Sequence, residues 1–232
     1  LAKAASLIMV GKNIDELIAS GHLPEIDGSH AADSPISVKE AVLPFRRFTT
    51  PEGKFVDSLL GPEMRSTGEV MGIAADFPTA FAKSQVAAGV KLPKTGKVFV
   101  SVSDRDKHQI VLPIRRLWQM GFEILATSGT AKILGRQGIP ATEVTKFSEK
   151  LAGETSIVEM IADGDIDIVI NTPSGGAARA DGYEIRAATT ASGKAIFTTT
   201  AQLAPAIASL EFIREHAFGV QSLQEYDRQR AR

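Results

Sequence analysis

Two lysines and a recurring set of hydroxyl and amide side chains stand wherever an apolar run of strand character stops in this sequence. SVSDRDK at 101–107 brings Ser101, Ser103 and Lys107, and TSGT at 127–130 brings Thr127, Ser128, Gly129 and Thr130. Lys146 follows a third run, NTPSGG at 171–176 brings Asn171, Thr172 and Ser174, and three threonines occupy 198–200. These residue types suit the capture of an anion. The first N–H groups of a helix lack internal partners and its dipole favours negative charge, so a Ser/Gly/Thr turn that opens a helix is a ready anion seat. Glycines such as Gly129, Gly175 and Gly176 let backbone approach a phosphate closely. Taken singly, each group also fits a turn, an N-cap or a solvated charge. Gathered on one rim, they read as an anion pocket.

What must gather them is a regular alternation of elements. Strands are expected over 97–102, 123–126, 142–145, 167–170 and 195–198, and helices over 106–120, 130–137, 156–162 and 182–190, with helices over 203–210 and 223–230 finishing the chain. Strands that alternate with helices imply right-handed crossovers and a parallel sheet covered on both faces. The expectation is an α/β fold: a doubly wound, five-stranded, Rossmann-type three-layer sandwich, with ligands at the edge where its strands end. Upstream the pattern is mixed α+β. Short helices are expected over 1–10 and 13–18, a loop over 21–35, a strand over 36–42, an irregular stretch over 45–72 and a helix over 77–89. LPKTG at 92–96 then marks the clearest boundary, which divides the chain into residues 1–95 and 96–232.

Composition narrows the function classes. A net charge of −1 gives no field for nucleic acid or an anionic membrane surface. No apolar run approaches the ~20 residues of a spanning helix, and the absence of cysteine excludes disulfides and thiolate chemistry while agreeing with a reducing cytoplasm. The opening LAKAASLIMVG has neither Met nor a basic start and reads as a cut inside a longer protein. Catalytic signals are few. His22, His30, His108 and His216 form no pair at metal-binding spacing, no nucleophile elbow or P-loop ending is present, and capping accounts for Asp104 and Asp106, leaving Asp181 as a further acid. No catalytic residue and no metal site is assigned.

LPFRRF at 43–48, GPEMRSTGEVMG at 61–72, SVSDRDK, LATSGTA at 125–131 and INTPSGG at 170–176, in this order and spacing, resemble the C-terminal part of the large subunit of carbamoyl phosphate synthase. The resemblance implies that residues 1–95 are the end of the second ATP-grasp half and residues 96–232 a methylglyoxal synthase-like allosteric domain. It implies an effector site in which Lys107 meets a phosphate and Thr127 and Thr130, with Ser128 and Gly129 between them, hold it at a helix start. Lys146 and Asn171 would be the remaining contacts, with Ser101, Thr172 and Ser174 nearby. The implied effectors are nucleoside monophosphates, UMP as inhibitor or IMP as activator. An ornithine-type site would use Glu40 and Thr199, although Phe197 and Thr198 replace that site's tyrosine and aspartate, and Pro173 replaces a threonine of the nucleotide site. The whole enzyme would be a cytoplasmic oligomer that includes the rest of the large subunit and a small glutaminase subunit. It would use ATP, magnesium or manganese, and potassium to make carbamoyl phosphate from bicarbonate and glutamine-derived ammonia for pyrimidine and arginine biosynthesis. The present stretch, without phosphate loops or metal carboxylates, is expected to be non-catalytic and to hold no cofactor. The same fold serves methylglyoxal synthase, a lyase acting on dihydroxyacetone phosphate. That chemistry wants an acid where this chain has Ala177 and Ala178.

Overall fold

The computed structural model describes residues 2–25, 34–53, 56–59, 63–145, 155–172, 176–217 and 219–230. Two compact units result, residues 1–34 and residues 35–232. In the first, helices α1 (Ala2–Met9) and α2 (Ile14–Ala19) bury Ala4 and Leu17. Asn13 opens α2 with a capping box: its side chain accepts from the Glu16 N–H at 2.9 Å, and the Glu16 carboxylate accepts from the Asn13 N–H at 3.1 Å.

The second unit begins with an antiparallel pair, β1 (Ile36–Val42) and β2 (Gly68–Ala74), in which Val38 lies opposite Gly72 and Glu40 opposite Val70. β2 falls largely inside the stretch expected to be irregular. Gly68 and Gly72 carry no side chains to mark a face, so the strand lacks a clear alternation and is held by its partner and by the helix above it. That helix, α3 (Phe77–Ala87), starts at Asp76, whose Oδ1 accepts from the Thr79 N–H at 2.8 Å. It packs on both strands and, further on, against the helix Leu203–Glu215.

Beyond Gly96 the five expected strands form one parallel sheet: β3 (Lys97–Val102), β4 (Glu123–Thr127), β5 (Thr142–Val144), β6 (Ile168–Thr172) and β7 (Ala195–Phe197), in the order β5-β4-β3-β6-β7. Alternate strand residues feed two cores. Val98, Val100, Ile124, Ala126, Ile168 and Ile170 meet α4 (Val111–Gln119), α5 (Ser128–Arg136) and α8 (Leu203–Glu215) on one face, joined by Phe81 of α3. Phe99, Leu125 and Val169 meet α6 (Ile157–Ala162) and α7 (Gly176–Ser192) on the other. This is the doubly wound three-layer sandwich, and a terminal helix α9 (Leu223–Arg230) follows it.

Several boundaries differ from the sequence expectation. Residues 104–106 form a 3-10 turn, and α4 starts only at Val111, so Pro113 lies in its first turn rather than in its interior. A first-turn N–H has no helical partner to lose, so the proline is accommodated there. α5 starts at Ser128, two residues early, and α7 at Gly176, six residues early, so both helices begin almost where their strands stop. The chain reverses direction across the sheet between β3 and β6, which places a ligand crevice outside the ends of those strands.

Candidate anion-binding site

At the end of β4 the chain passes into α5 without a loop. Thr127 is the N-cap, with extended backbone, yet its side chain makes no cap hydrogen bond; its hydroxyl lies 3.4 Å from that of Thr130. Among the described residues, the N-cap side chain therefore leaves the leading N–H groups of α5, from Ser128 to Thr130, uncapped. Thr127 and Thr130 are both buried. Over this helix start lies the Lys107 ammonium. A Cβ added to Gly129 would stand 2.7 Å from Lys107 Nζ, so it is the glycine that lets the cation rest against the helix. A cation beside uncapped helix N–H groups attracts an anion from two sides. Within the chain, Lys107 Nζ pairs with Asp104 Oδ1 at 2.6 Å; the Lys107 side chain is 18% exposed and that of Asp104 94%. An incoming anion would compete with a carboxylate that is almost wholly in solvent.

The ends of β3 and β6 are stitched together beside this point. The Ser103 N–H donates to the Thr172 carbonyl (3.1 Å) and hydroxyl (3.2 Å), and the Ser103 hydroxyl donates to Asp106 Oδ2 at 2.7 Å. Burial raises the pKa of Asp106, but hydrogen bonds from Ser103 and Thr172 and the Arg105 charge outweigh it and hold the carboxyl below its usual range. Asp106 is thus an ionised structural acceptor rather than a cap of α4.

Asn171 is buried at the end of β6, and both ends of its amide are engaged. Its Nδ2 donates to the Ser101 carbonyl at 3.4 Å, and its Oδ1 accepts from Arg186 Nη1 at 3.0 Å. Arg186, on α7, is 0% exposed. Its Nε and Nη2 grip Asp57 Oδ1 and Oδ2 at 2.7 and 2.6 Å, a bidentate pair. Gly182 makes room for this array, since a Cβ there would lie 2.4 Å from Arg186 Nη1 and 3.0 Å from Asn171 Oδ1.

Of the expected site residues, the structure brings Lys107 to Gly129, Thr127 to Thr130 and Ser101 to Asn171, and it sets Thr172 against Ser103. Lys146 and Ser174 lie outside the described residues, as does Pro173. Glu40 and Thr199 share no hydrogen bond among the described residues: Glu40 accepts from Gln85 Nε2 at 2.8 Å, and the Thr199 hydroxyl donates to Gln202 Oε1 at 3.2 Å. His108 is exposed. The sequence reading misses Arg186 and Asp57. A signal existed for the arginine, because Gly182, Ile185, Arg186 and Thr189 follow helical spacing and all prove buried. Asp57 carries no such mark. A separate open cleft of about 400 Å³, lined by Trp118, Phe122, Glu123, Pro140 and Thr142, lies at the opposite end of the sheet, where β4 and β5 begin.

A crossover sheet with a cation and an uncapped helix start at its carboxyl edge defines the class. Residues 109–196 match the MGS-like domain family, so the chain contains an MGS-like domain. The whole chain also has relatives. It is 65% identical to the carbamoyl phosphate synthase large chain of Clavibacter michiganensis subsp. michiganensis over 97% of its length, 58% identical to that of Beutenbergia cavernae over 100%, and 54% identical to that of Paenarthrobacter aurescens over 97%. In each case it covers 21% of the relative. The chain belongs to the carbamoyl phosphate synthase large-chain family and spans about a fifth of its relatives' length.

Proposed function

We propose that this chain is the effector-binding, regulatory portion of a carbamoyl phosphate synthase large chain, in which a nucleoside monophosphate such as UMP or IMP biases an attached synthetase. In this reading residues 1–95 close the second ATP-grasp half and residues 96–232 form the allosteric domain. The observation that carries it is the Lys107 ammonium held over Gly129, at a helix start with no side-chain cap. The phosphate sits there, against Ser128 to Thr130. Ser101, Asn171 and Thr172 meet the rest of the nucleotide, and Lys146 and Ser174 join the contacts on the family resemblance alone. An ornithine-type ligand would use Glu40 and Thr199. The attached synthetase, with the small glutaminase subunit, ATP, magnesium or manganese, and potassium, would make carbamoyl phosphate in the cytoplasm for pyrimidine and arginine synthesis. A coupling of ~1 to 3 kcal/mol between effector and synthetase would change substrate affinity several-fold to about a hundredfold.

Calorimetry with UMP and IMP on the wild type and on Lys107→Ala tests the phosphate assignment. Removing a charge-assisted contact worth ~1.5 to 3 kcal/mol should weaken binding about ten- to a hundredfold. Equal affinity in both proteins, or no binding to either at low salt, overturns it.

A further inference from the structure

Arg186 is a fully buried cation whose principal partner comes from 129 residues away in the chain. Buried charges are costly, and removing one member of such a pair leaves the other uncompensated; an apolar pair of similar volume would hold helix to loop with less cost. An arginine at this place therefore calls for a polar task, and its third contact indicates one. After Nε and Nη2 have taken up both oxygens of Asp57, Nη1 is spent on Asn171 Oδ1. An amide can face either way. The arginine donor fixes the oxygen toward α7 and so turns the nitrogen toward the Ser101 carbonyl, near the paired carboxyl ends of β3 and β6. Gly182 keeps the space for this three-residue contact open.

Asp57 is in turn anchored upstream. Its carboxylate accepts from the Leu59 N–H at 3.1 Å, and its carbonyl accepts from Arg65 Nη1 at 3.4 Å, Arg65 belonging to the GPEMRSTGEVMG stretch. α7 also packs against the 3-10 turn Phe45–Arg47 of LPFRRF. The segment before the sheet domain thus reaches the ligand crevice through one continuous polar chain, Arg65 to Asp57 to Arg186 to Asn171.

We infer that Asp57 and Arg186 are positioning residues that set the Asn171 amide for the nucleoside part of the effector, and so carry the arrangement of Asp57, Leu59 and Arg65 into effector affinity. The inference rests on the nucleotide reading above. A coupling element needs a physical contact that both sites bias, and this pair touches the loop at one end and the crevice at the other. Among the described residues no hydrogen bond joins Asp57 or Arg186 to Lys107 or Gly129, so the two halves of the effector should respond differently.

The test is calorimetry on the full chain with uridine monophosphate and with inorganic phosphate. Asp57→Asn should weaken uridine monophosphate about tenfold and leave phosphate unchanged. The loss should vanish when Asn171→Ala is already present, because the effect passes through that amide. Breaking the buried pair could itself loosen the fold. A second protein with Asp57→Leu and Arg186→Met together replaces it by apolar groups, and it should be folded by circular dichroism and show the same selective loss. Uridine monophosphate binding that is unchanged in Asp57→Asn, weakened in step with phosphate, or additive with Asn171→Ala overturns the relay while leaving the nucleotide site standing. A wild type that binds phosphate but no nucleotide overturns the nucleotide reading and the relay with it.

Discussion

Gly129 shows how one absent methyl group shapes the candidate site. The types of residue in TSGT already point to an anion turn, since small hydroxyls and a glycine at a helix start offer donors and close approach. What the sequence leaves undetermined is which cation meets them, because Lys107 lies 22 residues earlier and reaches Gly129 only through the β3–α4–β4 crossover. Asn171 is a similar case. Its type is legible as a polar group at a strand end, but its orientation depends on Arg186 and Asp57, and no local pattern couples those three. The glycine yields a prediction that separates binding from folding. Gly129 is in a helix without positive φ, and alanine is the better helix former by ~1 kcal/mol. Its new Cβ would meet only the end of a flexible side chain, Lys107 Nζ at 2.7 Å and Cε at 3.7 Å. Gly129→Ala should keep or raise the melting temperature while displacing the ammonium and weakening nucleoside monophosphate several-fold in calorimetry. Undiminished affinity would show that the ammonium does not hold the anion at this point.

At the scale of elements, β3, β4, β6 and β7 are legible because each is a short, largely buried apolar run that stands out between polar turns, whereas β5, Thr142–Val144, is mostly exposed and is marked only by its place in the alternation. Helix starts are less legible. The turn at 104–106 precedes a late start of α4 at Val111, whereas α5 begins early because β4 feeds it directly, and α7 is already helical at Gly176. β2 is the element the sequence hides, and the reason is also its packing role. A Cβ at Gly72 would stand 2.0 Å from the Ala80 carbonyl oxygen and 2.7 Å from the Ser84 nitrogen, both backbone atoms of α3. The bare glycine lets helix and strand touch, and the same bareness erases the alternation by which a strand is recognised. Gly72→Ala should therefore force α3 off the hairpin and cost ~1 to 3 kcal/mol, the usual range for overpacking, read as a lower midpoint in urea or heat. Wild-type stability in this variant would mean that α3 and β2 slide past one another without resistance.

Across the whole molecule, 26 basic and 27 acidic residues nearly cancel, so self-repulsion is small near neutrality and individual perturbed groups should shape the dependence of stability on pH. Two kinds are present, with opposite signs. Burial raises the Glu40 pKa, and the Gln85 hydrogen bond only partly offsets it. Burial also raises that of Asp57, but hydrogen bonds from Arg186 and Leu59 and the charges of Arg186 and Arg65 prevail and hold it below its usual range. A carboxyl with a raised folded pKa gives stability that is fully present below its unfolded value, about 4.3 for glutamate, and lost as pH rises through the folded value. A carboxyl with a lowered folded pKa gives stability present above its unfolded value, about 3.9 for aspartate, and lost as pH falls through the folded value. Melting temperatures from pH 3 to pH 8 should therefore separate the two. Glu40→Gln, which keeps an oxygen for the Gln85 donor, should melt above the wild type at neutral pH, with the gain disappearing at the acid end. Asp57→Asn should melt below the wild type at neutral pH, and the gap should close in acid once the wild-type carboxyl is protonated and the Arg186 pair is already broken. An Asp57→Asn gap of constant size across that range would mean that the ionised pair with Arg186 contributes nothing to holding the loop at 56–59 against α7.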